Sequence, residues 1–343
     1  MGYDALPLLE SLLAGRDLSE READALLRAL AEAEIDTALA GGLLIALKLK
    51  GEAASEIRGF ALALRSLAQR PEIAAGPPYV DVVGTGGDGS GSLNLSTGSA
   101  LLAAACGIPV VKHGNRSITS RSGSADVLAA LGLPMPLDEI AAGRCLEALG
   151  FTFLFAPHYH PALKQIAPIR RALGVRTVFN ILGPLVNPAE PPFHVIGAAS
   201  EAIAGLIADA LSAMPLERAF VVHGAAGWDE ATPIGPFVLY DVRPEGIIRE
   251  VRDPADLGLP TCKPEALAGS DAKGNAERLR AALRGRDTAA HRDALAIGAG
   301  LALEVSGAAP NLEAGVARAR ETIEDGSAAT FLERLDAFAK ELG

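Results

Sequence analysis

A glycine-rich loop at residues 84–89 (GTGGDG) is the first segment whose residue types could do chemistry. It follows the β-rich run YVDVV, and a helical stretch starts near Asn94, Ser96 and Thr97. Closely spaced glycines allow positive φ angles and let backbone amides approach an anion, and the free N–H groups of a helix N-terminus attract negative charge. The GxGxxG and GK[ST] patterns of nucleotide-binding loops are absent. Asp88 would repel a bare phosphate unless it contacted a hydroxyl, an amine or a metal-bound water, so we expect a sugar phosphate; a purely structural turn is the alternative.

A basic loop at residues 112–126 is the second such segment. It begins with Lys112 and His113 after the β-rich run IPVV, continues through Arg116 and Arg121 among several hydroxyl side chains, and leads into a helical stretch. Ammonium, guanidinium and hydroxyl groups can neutralise and hydrogen-bond a phosphorylated ligand from several sides. A solvated basic loop is the alternative.

An adjacent acidic pair, Asp229 and Glu230, follows a third β-rich run and a glycine-containing turn. Such pairs are usually solvated surface residues. Magnesium, however, is typically held by one or two carboxylates together with waters and substrate phosphates. In a chain that already carries two candidate anion loops, the pair becomes a candidate magnesium site.

The charge distribution supports a local site for small anions. A net charge of −11 argues against nucleic acid or an anionic membrane surface as a partner. Residues 89–125 and 148–189 nevertheless contain no Asp or Glu, while both segments carry Lys, Arg and His. An acidic protein that keeps two long segments free of carboxylates is expected to bind anions there.

The sequence predicts a cytoplasmic protein. Cys106, Cys145 and Cys262 are odd in number and lack the spacings of zinc or disulfide motifs. An acidic residue at position 4 precedes the first apolar run, unlike a secretory signal. The longest uncharged stretch, residues 89–111, ends in only about a dozen apolar residues, whereas a bilayer requires ~20.

The elements that must position these residues fall into two groups. Residues 3–70 show apolar residues at helical spacing, with helix starts expected at residues 17–20 and at Ser55. After the proline- and glycine-rich residues 74–78, short β-rich runs alternate with helical stretches, which predicts a largely parallel sheet covered by helices. The β-rich runs are residues 79–83, 108–111, 151–155, 194–196, 219–222 and 237–240.

Four long motifs resemble those of the anthranilate phosphoribosyltransferase family. They are GTGGDGSGSLNLST, KHGNRSITSRSGSADVLAALG, VVHGAAGWDE and HPALKQIAPIRRALGVRTVFNILGPLVNP, and the likeness runs from about residue 10 to the end. The resemblance implies an α/β fold with a small helical domain (residues 1–73, with roughly 160–185 packing onto it). A larger α/β domain (74–159 and 186–343) would carry a mostly parallel sheet, with the active site in the cleft between the domains. It also implies a homodimer joined through the helical domains.

The same resemblance implies a reaction and a role for individual residues. The phosphoribosyl group of phosphoribosyl pyrophosphate would pass to the amine of anthranilate with Mg²⁺ bound, and Lys112, His113 and Asp88 would be catalytic. Phosphoribosyl pyrophosphate would contact Gly84, Gly87, Asp88, Ser92, Asn94, Leu95, Ser96, Thr97, Lys112, His113, Gly114, Asn115, Arg116, Ser117, Ile118, Thr119, Ser120 and Ser124. Anthranilate would contact Gly84, Asn115 and Arg170, and the metal would bind at Ser96, Asp229 and Glu230. The sequence departs from the family at Ser92, Leu93 and Thr119, where we expect Thr, Phe and Ser.

Two other functions are compatible with the fold. A pyrimidine nucleoside phosphorylase would carry a differently spelled STGG loop and lack the KHGNR segment. A non-catalytic anion-binding paralogue would be indicated by loss of the acidic pair or of Arg170, and both are present.

Overall fold

The computed structural model describes residues 3–116 and 122–342, and a four-helix bundle forms the beginning of this part of the chain. Its helices are α1 (Leu6–Leu13), α2 (Glu20–Ala31), α3 (Thr37–Lys50) and α4 (Ala54–Ser66). Ser19 caps α2 in the expected region, because its hydroxyl accepts from Glu22 N and its own N–H donates to the Glu22 carboxylate. The helix start expected at Ser55 with nearby Glu56 is found one residue earlier, because α4 begins at Ala54 and the Glu56 carboxylate accepts from Ala53 N at 2.7 Å. Ser55 is not the cap, since its hydroxyl donates to Leu18 O at 2.9 Å.

The bundle is completed by helices from the middle of the chain. Three helices follow one another in this region: α8 (Ala156–Tyr159), α9 (Leu163–Leu173) and α10 (Phe179–Leu182). Helix α9 packs against α2 and α3, and α10 packs against α4 through the rings of Phe60 and Phe179. One hydrophobic core joins the bundle to α11 (Glu201–Leu211) and to one face of the sheet. The small helical domain is therefore packed on the α/β domain through a continuous apolar core.

A seven-stranded sheet forms the centre of the larger domain, with the order β3-β2-β1-β4-β5-β6-β7. The first five strands along the chain are parallel, and β6 and β7 extend the sheet as an antiparallel hairpin. The strands are β1 (Val80–Gly84), β2 (Val110–Gly114), β3 (Phe151–Phe155), β4 (Phe193–Gly197), β5 (Arg218–His223), β6 (Phe237–Arg243) and β7 (Gly246–Arg252). The predicted fold class, a small helical domain with a larger α/β domain, is confirmed.

A second core covers the opposite face of the sheet. Its helices are α5 (Leu95–Ala105), α6 (Ser124–Ala130), α7 (Glu139–Leu149), α12 (Ala272–Leu283), α13 (Ala289–Val305), α14 (Leu312–Glu324) and α15 (Ser327–Leu342). Helix α13 is buried along most of its length and packs between α5 and α14. In the described part of the chain, none of the helices combines the length and the apolar character needed to cross a membrane.

Candidate active site

The two predicted loops and the acidic pair lie at one edge of the sheet. The glycine loop follows β1, the basic loop follows β2, and the acidic pair follows β5. These strands are parallel, with β1 between β2 and β4 and β5 beyond β4. The carboxyl ends of parallel strands meet at the same edge, which is where open α/β sheets bind ligands. The fold thus brings together segments that are more than a hundred residues apart in sequence.

The acidic pair is folded back onto the strand ends. A Cβ at Gly84 would lie 2.6 Å from Asp229 Oδ2, and one at Gly197 would lie 1.6 Å from Asp229 O. Only glycine can occupy position 197 while the acidic turn stays where it is, whereas a side chain at position 84 would displace the Asp229 carboxylate. Gly86 N donates to Asp229 Oδ2 at 2.6 Å, and Asp229 N donates to Asp88 Oδ2 at 3.4 Å. These bonds join the acidic turn to the glycine loop.

A buried lysine lies beside this junction. Lys112 is 1% exposed, and its Nζ donates to Val82 O and to Ser96 Oγ, the latter at 3.4 Å. Ser96 N donates in turn to Glu230 Oε1 at 2.9 Å. Burial lowers the pKa of Lys112, while the charges of Asp81, Glu230 and Asp229 oppose that shift. The Lys112 amine is therefore held in a buried position close to three carboxyl groups.

The acidic pair is suited to a hard cation. Burial raises the pKa of Asp229 to about 7 and that of Glu230 to about 8; the charge of Asp88 adds to the first shift and the charge of Asp229 to the second. A bound divalent ion would relieve this repulsion, and carboxylate oxygens are the ligands that Mg²⁺ prefers. Among residues 3–116 and 122–342, no three His, Cys, Asp or Glu side chains form a closed metal site. Water, hydroxyl or phosphate oxygens would have to complete the coordination, as is usual for Mg²⁺.

The glycine loop presents the N-terminus of α5 to the same edge. Gly87 has a φ of +78°, and the Asp88 carboxylate accepts from the N–H and hydroxyl of Ser90. The Ser90 oxygen lies 3.2 Å from Ser92 Oγ, from which it can accept a hydrogen bond. The predicted residues at the helix start are Asn94, the N-cap, and Leu95, Ser96 and Thr97 of the first turn. The side chains of Leu95 and Thr97 are buried.

The basic loop places its first residues on β2 itself. His113 is 3% exposed, and its Nδ1 lies 3.1 Å from Gly183 O. Burial, with the neighbouring His160, lowers the pKa of His113 to about 3, so the imidazole is neutral at pH 7. A Cβ at Gly114 would lie 2.5 Å from Ser124 Oγ, which donates to Asn115 O at 3.2 Å. Arg116 lies 5.8 Å over the ring of Phe155. The predicted contacts Ser117, Ile118, Thr119 and Ser120 lie outside the described residues.

Arg170 is separate from both loops. Its guanidinium lies 5.1 Å over the ring of Phe179, and burial lowers its pKa. Within residues 3–116 and 122–342, no hydrogen bond or ion pair joins it to Gly84, Asn115 or any carboxylate. The guanidinium fork is therefore available to an external carboxylate.

Two residues at the site were missed by the sequence analysis. Arg176 donates from Nη1 to Gly87 O at 2.9 Å and from Nη2 to Gly86 O at 3.2 Å. Asn275, on α12, donates to Asn94 and Ser122 at the two loops. Arg176 lies in the carboxylate-free segment 148–189, which is a weak signal, and no sequence pattern marks Asn275.

Comparisons with known proteins agree over nearly the whole chain. Residues 6–68 match the helical bundle domain of a glycosyl transferase family, and residues 76–329 match the a/b domain of a glycosyl transferase family. The anthranilate phosphoribosyltransferase of Shewanella sp. (strain W3-18-1) is 43% identical over 339 residues, which are 98% of this chain and 97% of the relative.

Solved structures give the same result. The anthranilate phosphoribosyltransferase of Thermus thermophilus is 43% identical, with a TM-score of 0.90 over 97% of this chain and 99% of that one. The Saccharomyces cerevisiae enzyme in complex with PRPP and Mg is 26% identical, with a TM-score of 0.89 over 99% of both chains.

Proposed function

The chain belongs to the anthranilate phosphoribosyltransferase family, and from this we propose that it makes N-(5-phosphoribosyl)anthranilate for tryptophan biosynthesis. The substrates are anthranilate and phosphoribosyl pyrophosphate, and the second product is pyrophosphate. The observation that carries the proposal is a pair of linked hydrogen bonds at the glycine loop and the N-terminus of α5. Lys112 Nζ donates to Ser96 Oγ, and Ser96 N donates to Glu230 Oε1. This arrangement offers cationic, amide and carboxylate groups to one phosphorylated ligand.

The residues of the loops assist the departure of pyrophosphate. The bond between the ribose anomeric carbon and the pyrophosphate oxygen breaks, and its electron pair leaves with the pyrophosphate. The Lys112 ammonium and the amides at the start of α5 stabilise the charge that develops there, in a site from which water is largely excluded. The charge that appears on the ribose resembles an oxocarbenium ion, as in glycoside hydrolysis.

Asp229, Glu230 and Ser96 would hold the proposed metal, Mg²⁺, with other oxygens completing its coordination. When bound, it neutralises charge on the pyrophosphate, as divalent ions do in phosphate-binding sites. Asp88 holds the acidic turn through Asp229 N and leaves its remaining lone pairs for a ribose hydroxyl or a metal-bound water.

Anthranilate is oriented by residues from both sides of the cleft: Arg170 on α9, and Gly84 and Asn115 at the strand ends. The Arg170 guanidinium binds the carboxylate, which matches its two-pronged geometry, and Asn115 and the main chain of Gly84 bind near the amine. The amine nitrogen forms the new bond to the anomeric carbon and then loses a proton to solvent. Because an aromatic amine is a weak base, no strong general base is needed. The neutral His113 forms a polar part of the site lining.

A fluorescence assay tests the function directly. Protein, Mg²⁺, phosphoribosyl pyrophosphate and anthranilate are mixed, and loss of anthranilate fluorescence is followed. Loss that requires all four components supports the proposal. No loss with all four present, in protein shown to be folded by circular dichroism, would overturn it. Release of a free base from a pyrimidine nucleoside and phosphate under the same conditions would instead indicate a nucleoside phosphorylase.

We also propose that the protein is a cytoplasmic homodimer joined through its helical domains. Leu6 and Leu13 on α1 and Leu49 on α3 are 58%, 71% and 80% exposed, and α1 packs beside α3. Analytical ultracentrifugation of Leu13→Glu and Leu49→Glu tests this dimer interface: a dimer that persists in both variants contradicts it.

We further propose the domain division at residues 73 and 74, with 160–185 belonging to the helical side. The packing of α9 on α2 and α3 supports it.

A further inference from the structure

Three side chains form a closed hydrogen-bonded ring beneath the two loops. The Asn275 carboxamide donates one hydrogen to Asn94 Oδ1 at 2.8 Å and the other to Ser122 Oγ at 2.9 Å. The Ser122 hydroxyl donates to Asn94 Oδ1 at 3.0 Å, and Asn94 Nδ2 donates to Ser122 O at 3.2 Å. The ring joins the N-cap of α5 to the end of the basic loop.

The ring keeps Asn94 from capping its own helix. Asparagine is among the best N-cap residues, because its side-chain oxygen normally accepts from the N–H two or three residues later. Asn94 occupies the N-cap of α5 but makes no such bond. Its oxygen accepts from Asn275 and Ser122 instead. The consequence is that Asn94 caps neither Ser96 N, which donates to Glu230 Oε1 at 2.9 Å, nor Thr97 N, and Thr97 N stays uncapped at the end of α5 that attracts anions.

Asn275 is itself fixed by a segment that supports the glycine loop. Its Oδ1 accepts from Ser270 N at 2.6 Å and from Ser270 Oγ at 3.2 Å, and the side chain is buried. Just before Ser270, the chain bonds to the glycine loop: Leu93 N donates to Leu267 O and Gly269 N donates to Gly91 O. All four hydrogen-bonding positions of the carboxamide are thus used: the oxygen accepts twice from Ser270, and the nitrogen donates once each to Asn94 and Ser122.

We propose that Asn275 is a positioning residue that holds the start of α5 and the end of the basic loop in the geometry that binds phosphoribosyl pyrophosphate. The proposal rests on the function proposed above. Asn275 touches neither substrate in this assignment. It acts through Asn94 and Ser122.

The test compares binding with stability in single and double variants. Asn275→Ala removes both the acceptor oxygen and the donor nitrogen of the side chain. Asn275→Asp keeps an acceptor for Ser270 but cannot donate to Asn94 or Ser122. Loss of one to two buried hydrogen bonds should weaken phosphoribosyl pyrophosphate about tenfold in Kd and KM. The KM for anthranilate should change much less. Asn311→Ala, which removes the N-cap of α14, is the matched control and should lower Tm without changing either KM.

A double-mutant cycle separates positioning from general support of the fold. If Asn275 acts through Ser122, then Asn275→Ala with Ser122→Ala should weaken phosphoribosyl pyrophosphate about tenfold, as either change alone does, rather than about a hundredfold. Multiplied effects, or an unchanged Kd in folded Asn275→Ala, would overturn the proposal. If Asn275→Ala does not fold, the same cycle is run with Asn275→Asp. Calorimetric Kd values need no turnover, so an inactive wild type would contradict the proposed function without removing this test.

Discussion

Three buried histidines, which are neutral in the folded protein, should each contribute a share of stability that acid removes. Burial is the main reason that the pKa values of His113, His160 and His194 fall to about 3, about 4 and about 3. A histidine in an unfolded chain has a pKa near 6.5. Between these values the unfolded chain binds protons that the folded chain does not. The stability contributed by each histidine is therefore complete above pH 6.5 and is lost as the pH falls toward its folded pKa.

His194 provides the cleanest variant, since it lies within β4, is 0% exposed and is assigned to neither substrate. Protonation of an unfolded histidine at pH 5 favours unfolding by about 2 kcal/mol, against ~0.2 kcal/mol at pH 7. The three histidines together should contribute a loss of about 5 kcal/mol in the free energy of unfolding between these pH values. The raised pKa values of Asp229 and Glu230 act in the opposite direction over the same range, so the test compares a variant with the wild type rather than relying on the total. His194→Gln, which cannot titrate, should reduce that difference by about 2 kcal/mol.

Urea unfolding at pH 7 and pH 5 measures this difference for wild type and variant. Val195→Ala, a change to a buried neighbour on the same strand, is the control: it should lower the free energy of unfolding by the same amount at both pH values. The reasoning about His194 is refuted if His194→Gln loses as much free energy between pH 7 and pH 5 as the wild type does.

Three further predictions concern the site. Asp229→Asn with Glu230→Gln should leave the fold intact but cut magnesium-dependent kcat/KM by at least about a hundredfold, because a metal clamp is worth several kcal/mol; wild-type activity in a magnesium titration would contradict the metal assignment. Arg170→Ala should raise the KM for anthranilate about tenfold, since a charge-assisted bond contributes about 1.5–3 kcal/mol; an equal rise in the KM for phosphoribosyl pyrophosphate would refute the assignment. Gly87→Ala places a Cβ 2.0 Å from Arg176 Nη1 at a φ of +78° and should weaken phosphoribosyl pyrophosphate binding by calorimetry, with partial recovery when Arg176→Ala is added.

Local sequence signals predicted the elements whose structure depends on near neighbours. The glycine loop, the start of α5 at Asn94 and the buried parallel strands are each indicated within a few residues, by turn glycines, a residue type common at helix starts and apolar β-branched runs. Strand β7 was not predicted, because it is an edge strand with exposed apolar residues such as Ile248 and Val251 and therefore shows no buried face. The strand predicted at residues 237–240 continues to Arg243, since its hairpin partner supplies hydrogen bonds that no local pattern announces.

Residue types and their spacing along the chain were enough to indicate the chemistry available to this protein: a glycine loop, a basic loop, an acidic pair and a separate arginine, together with the fold class. The roles of these residues toward each substrate remain predictions. Which groups meet depends on the folded chain. The order β2-β1-β4-β5 places Asp229 against Gly84 and Gly197, and burial of Lys112 among carboxylates depends on packing from all sides. Asn275 reaches Asn94 across 181 residues, a separation over which no local pattern carries information, because hydrogen-bond partners are set by proximity in the fold and not by spacing along the sequence.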